Sequence, residues 1–228
     1  GIVMRYRAFL SYSHADEKWA RWLMRRLEAY RVPKNLVGTP GRDGPIPARL
    51  GQVFRDRDEL PSAGDLSSTI NAALQDSQAL LVICSPASAQ SRWVNAEINA
   101  FRALHGNDNI FSFVVAGDPG SREPGLASFP TALIEPEIAD GPEREPLAAD
   151  ARKEGDGRDR AFMKVVAGLL GVGYDSLAQR EAQQRARTAE LRGLKSETAQ
   201  LQQTISILEK GLNGLTVIAP RAGTVVHN

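Results

Sequence analysis

The chain has 228 residues, with 28 Lys plus Arg, 27 Asp plus Glu, one Cys and three His. A net charge of +1 gives no electrostatic reason to expect nucleic acid. A single cysteine excludes an intrachain disulfide and a cysteine-rich zinc site and fits a reducing, cytoplasmic compartment.

Met4-Arg5-Tyr6-Arg7 leads straight into an apolar strand, so no signal peptide is predicted. The strand, Tyr6 to Tyr12, reads as buried on both faces at Ala8-Phe9-Leu10. Ser13 and Asp16 follow as a Ser-x-x-Asp helix start, and Trp19, Trp22, Leu23, Leu27 and Tyr30 fall on one side of the helix. Ser11, Tyr12, Ser13 and His14 line the mouth between strand and helix, where backbone N–H groups suit a phosphate. Residues 31–49 are rich in Pro and Gly, without a period, and read as a long loop. Gln52 to Asp56 is a short strand, and residues 57–64 form a polar connection. Asp65 is placed to cap a helix carrying Leu66, Ile70 and Leu74. Ala79 to Cys84 is a central strand, too short to span a bilayer, with Cys84 an inert core thiol.

The next helix opens with Ser91-Arg92-Trp93-Val94-Asn95-Ala96-Glu97-Ile98. Val94, Ile98, Phe101 and His105 share a face that can pack on a sheet, and Trp93 and Glu97, at i and i+4, are neighbours on the adjacent stripe. A carboxylate beside an indole at the edge of a buried face is a candidate activated group. The same spacing also describes a solvated Glu next to a half-buried Trp, and this stretch alone favours that plainer account.

Ile110 to Ala116 is a further strand, closed by Gly117-Asp118-Pro119-Gly120. A short helix is expected near Thr131 to Leu133 and an edge strand near Pro146 to Ala148. Asp159 to Leu170 is an amphipathic helix stopped by Gly171 and Gly173. The alternation of strands and helices predicts an α/β domain with a mostly parallel sheet over residues 1–173. Three histidines far apart in sequence argue against a metal centre.

Residues 174–215 change character. Leu191, Leu194, Thr198, Leu201, Ile205, Leu208, Leu212 and Leu215 alternate spacings of three and four, a heptad seam that favours a parallel two-stranded coiled coil. Upstream, Arg180, Gln184 and Arg187 occupy the seam, which predicts a solvated half. Residues 216–228 read as a short β-like tail, a strand, a turn and a strand. The heptad helix with this tail resembles the far half of the coiled-coil hairpin of periplasmic membrane-fusion adaptors, without the first half or the anchor.

Four segments in order resemble a bacterial TIR (Toll/interleukin-1 receptor-like) domain over about residues 4–173. They are Tyr6-Arg7-Ala8-Phe9-Leu10-Ser11-Tyr12-Ser13; Val53-Phe54-Arg55-Asp56 through Glu59-Leu60-Pro61-Ser62-Ala63-Gly64; Leu80-Leu81-Val82-Ile83-Cys84-Ser85-Pro86; and Ser91-Arg92-Trp93-Val94-x-x-Glu97. The resemblance implies a flavodoxin-like sheet of five parallel strands. In catalytic members it also implies cleavage of NAD+, as substrate and not cofactor, at the nicotinamide–ribose bond by the glutamate at the position of Glu97, with activation by self-association. Trp93 would shape the surroundings of Glu97. Ser13 and His14 match positions where some catalytic relatives carry substrate-contacting basic residues. Phe54, Asp56 and Gly64 match the second strand and the loop over the pocket. Other members of the family are scaffolds without turnover, so a pure interaction module is the alternative.

Overall fold

The computed structural model describes residues 4–55, 65–135 and 148–225, with side chains to residue 215. The chain divides into two compact units, Gly1–Arg180 and Glu181–Asn228.

In the first unit β1 (Tyr6–Ser11) runs through one turn of 3-10 helix (His14–Asp16) into α1 (Glu17–Ala29). The connection after α1 carries a two-residue hairpin, β2 (Pro40–Gly41) and β3 (Gly44–Pro45), where sequence suggests only loop. Its anchors Val32, Leu36, Ile46 and Leu50 are buried but too irregularly spaced to give a period. Next come β4 (Gln52–Arg55), α2 (Ser68–Gln75), β5 (Ser77–Cys84), the short α3 (Pro86–Ala89), α4 (Arg92–His105) and β6 (Ile110–Val114). After these follow α5 (Thr131–Ile134), β7 (Ala148–Asp150) and α6 (Arg158–Leu170). α2 is capped by Ser67, not Asp65: the Ser67 hydroxyl accepts the Ile70 N–H at 3.2 Å, three residues on, which fixes the first turn at Ser68.

The five long-range strands form one sheet in the order β4-β1-β5-β6-β7, every pair parallel. This is the flavodoxin-like order, and the expected fold class holds. Strand alternation divides the core. Ala8, Leu10, Leu81, Ile83 and Phe113 face α1 and α6, packing on Leu23, Leu27, Phe162 and Val166. Phe9, Leu80, Val82, Cys84 and Val114 face the other way, against Ile70, Leu74, Val94, Ile98 and Phe101. Cys84 is fully buried and burial pushes its thiol up to about 12, so it is the inert core group its sequence position suggests.

The helix α7 runs Tyr174–Val225. Its first turns belong to the domain unit: Leu177 is fully buried, and Arg180 Nη1 donates to the Asn35 carbonyl at 2.9 Å. Arg180, read from sequence as solvated, is therefore engaged by the domain. From Leu191 to Leu215 the seven apolar seam residues are 52–65% exposed. The strand, turn and strand expected over 216–226 is not what forms, since the backbone is helical through Val225. A two-stranded ribbon without further partners is marginal.

Candidate active site

In an open parallel sheet the place for a ligand is outside the carboxyl ends of the strands where the strand order reverses. Here that point lies between β1 and β5, whose last residues are Ser11 and Cys84. Ser11 follows Phe9 by two, so its side chain shares the α4 face of the sheet.

α4 brings Glu97 to this place. Ser91 caps the helix by accepting the Val94 N–H at 3.3 Å. Glu97 falls on the buried side with Val94, Ile98 and Phe101 and is only 6% exposed. Ser11 Oγ donates to Glu97 Oε1 at 3.1 Å. The helix is fixed from behind: Asn95 Oδ1 accepts the Ala132 N–H at 2.9 Å, and Arg102 Nη2 donates to the Ala132 carbonyl at 2.5 Å. A carboxylate is thus buried at a strand end in one rotamer, on a helix that cannot easily roll.

A second carboxyl sits at the same strand ends. Asp16 is buried, and Ser85 Oγ donates to its Oδ2 at 2.5 Å. Burial raises the Asp16 carboxyl above its ordinary range, partly offset by the Ser85 hydrogen bond. Ser85 itself follows β5 and caps α3 with Ser88 in a reciprocal box. Ser13 and Asp16 therefore depart from the expected capping role: neither side chain caps the helix it precedes, and Asp16 turns inward to Ser85. Sequence reasoning places Ser11 at the mouth but misses its bond to Glu97, and it misses Asp16 and Ser85 as a pair, because the two are 69 residues apart.

The remaining candidates distribute unevenly. Trp93 is half-buried in the first turn of α4, one turn before Glu97. Ser13 is half-buried and His14 exposed, two and three residues past Ser11 at the end of β1. Phe54 is a packing residue, stacked on Phe9 with ring centroids 5.1 Å apart and edge-on to Tyr6 at 5.2 Å. Asp56, Gly64 and the connection 57–64 lie outside the described residues. Across the mouth, Gly117 holds φ at +87°, and a Cβ there would meet Leu126 O and Ser128 Oγ at 2.8 Å. The turn after β6 therefore admits no side chain at that position. Among the described residues no group of His, Cys, Asp or Glu is arranged to hold a metal ion, and no single helix is long and apolar enough to cross a membrane.

A five-stranded parallel sheet in the flavodoxin-like order, with helices on both faces, defines a class of α/β domain. Residues 46–143 match the family model described as the TIR domain. A stretch of 120 residues is 32% identical to the NAD(+) hydrolase ApTIR of an Actinoplanes species, covering 50% of this chain and 15% of that relative. These findings support a bacterial TIR domain protein with a long C-terminal helix.

Proposed function

We propose that the chain is an NAD+ nucleosidase that cleaves the nicotinamide–ribose bond and uses Glu97 as its reacting carboxylate. The observation that carries this reading is the Glu97 side chain, buried and held by Ser11 at the reversal point of the sheet. The likeness to a protein named NAD(+) hydrolase supplies the substrate class.

The chemistry suits a single carboxylate. Nicotinamide is already cationic in NAD+ and leaves without a general acid. The ribose then gains oxocarbenium character at its anomeric carbon, and a carboxylate stabilises that charge or traps it as a nucleophile. Ordinary glycosidases need a second carboxyl to protonate the leaving group. Glu97 would take the charge-stabilising role, Ser11 would hold its rotamer, and Trp93 would wall one side. Ser13 and His14 would face the rest of the substrate from the end of β1.

Self-association belongs to the same proposal. The exposed seam from Leu191 to Leu215 has the heptad spacing of a parallel two-stranded coiled coil, and pairing it would raise the local concentration of the domains. The setting proposed is cytoplasmic, in bacterial defence or stress signalling. The exposed seam also supports a second reading, a TIR interaction module that assembles without turnover. Concentrated full-length protein incubated with NAD+ separates the two: nicotinamide accumulates with ADP-ribose or a cyclised product if the first holds, and NAD+ stays intact if the second does.

A further inference from the structure

Arg55, the last residue of β4, lies away from Glu97. In register with Leu10, and two residues after Val53, it belongs to the α1 face of the sheet. Its side chain is only 6% exposed. Its Nε and Nη1 have no hydrogen-bond partner among the described residues. The carboxylate closest by ion pairing, Glu17 Oε1, stands 3.7 Å from Nη1, beyond hydrogen-bond range, on a side chain that is 51% exposed. A buried guanidinium with idle N–H groups is costly to keep, and structures rarely keep one without a ligand, water or ion to answer it.

Two further guanidiniums stand nearby. Arg55 lines a 360 Å³ cleft between α1 and the edge strand, together with Glu17, Arg21, Met24, Arg25 and Glu28. That volume falls within the range of about 300–1,000 Å³ typical of small-molecule sites. Arg21 and Arg25 are one helical turn apart, on one stripe of α1, and both are exposed. Of the two carboxylates, Glu28 is engaged elsewhere, its Oε1 accepting the Val53 N–H at 3.2 Å. Three guanidiniums line the cleft, where Glu28 is committed to the strand edge and Glu17 pairs with Arg55 at 3.7 Å without a hydrogen bond.

We propose that this cleft binds the phosphate group of a soluble phosphorylated compound, with Arg55 as its buried anchor and Arg21 and Arg25 closing over it. Three guanidinium forks can share the oxygens of one phosphate, which a singly charged carboxylate with two oxygens satisfies less well. The half-buried Met24 supplies an apolar wall for the remainder of the compound. This inference is independent of NAD+ cleavage, because the cleft and Glu97 are on opposite faces of the sheet.

The test is calorimetric titration of the full chain at low salt with inorganic phosphate and with pyrophosphate, alongside sedimentation with phosphatidylcholine vesicles with and without phosphatidic acid. Pyrophosphate should bind one per chain, and Arg21→Gln with Arg25→Gln should weaken it about tenfold or more while leaving the unliganded melting temperature in place. Arg55→Met should abolish binding and raise the unliganded melting temperature, since it removes a buried guanidinium with two unbonded N–H groups whose one ion-pair partner, Glu17, is half exposed. The proposal is overturned by no heat up to about 10 mM, an affinity of no more than about 3 kcal/mol. It is equally overturned by unaltered binding in the Arg21/Arg25 double variant, by binding confined to phosphatidic acid vesicles, or by a lower melting temperature for Arg55→Met.

Discussion

Two regions of this molecule carry apolar residues at regular spacing, and they use them differently. In the domain unit Phe9, Leu80, Val82, Val94, Ile98 and Phe101 are fully buried against one another. In the helical unit Leu191, Leu201, Ile205, Leu208 and Leu215 are more than half exposed. The domain satisfies its hydrophobic pattern within one chain. The helix has a stripe only two positions wide per heptad, too narrow to wrap onto a globule and suited to a second helix. Where the partner comes from thus separates a part that folds from a part proposed to assemble.

Substitutions can break this contrast from either side. The largest effect is expected at Phe101, fully buried where α4 meets the sheet. Phe101→Ala should cost about 3–5 kcal/mol of domain stability, read by denaturant unfolding, while helical content from α7 persists. A cost below about 1 kcal/mol would mean that the layer beneath Glu97 is not packed as described. Changing Leu201 and Leu208 to Lys should leave the domain transition unchanged but reduce the mass in light scattering to that of a single chain. Unchanged mass would show that the seam packs in some other way. A chain ending at Arg180 keeps Leu177 and the Arg180–Asn35 hydrogen bond. It should turn over NAD+ several-fold more slowly than the full chain at low concentration and catch up as concentration rises. Superimposed dilution curves would reduce the helix to a spacer.

The smallest effect is expected at Asp16. Its folded-state carboxyl is raised by burial, with the Ser85 hydrogen bond acting the other way. The folded form therefore holds its proton to higher pH than the unfolded chain. Stability falls as pH climbs from the unfolded range near about 4 through the folded value, and the loss persists at neutral pH. Asp16→Asn removes that cost and can still accept from Ser85. Its melting temperature at pH 7 should equal or exceed the parent's, with the advantage fading as pH drops to about 4. An Asn variant that is less stable at pH 7 than at pH 4, relative to the parent, would show that the charged carboxylate is held favourably.

Much of this fold is legible in the sequence because its signals are local. Ala8-Phe9-Leu10 and Leu80 to Cys84 are apolar runs of strand length, and the α1, α4 and α6 faces repeat at helical spacing. The hairpin at Pro40–Pro45 and the cap at Ser67 escape such a reading, since a two-residue strand has no period and the cap falls two residues beyond the expected Asp65. The tail misleads because Thr216, Val217, Ile218 and Val225 have strand propensity, while the helix preceding them supplies a ready template. At the site, Glu97 and Trp93 are visible as an i, i+4 pair. The hydroxyls of Ser11 and Ser85, which hold the two buried carboxyls, come from contacts across 86 and 69 residues that no spacing encodes. Phe54, which matches the second strand in the resemblance, has its ring stacked on Phe9 and edge-on to Tyr6, contacts that its position in the sequence does not encode.

One buried carboxylate on α4, Glu97, is proposed to perform the chemistry. The most direct measurement is nicotinamide release from NAD+ by concentrated full-length protein and by Glu97→Gln, with melting curves recorded on the same samples. The parent should release nicotinamide, the variant should be slower by about 100-fold or more, and the two melting transitions should superimpose. Equal rates for the two folded proteins would contradict this role and remove Glu97 from the mechanism.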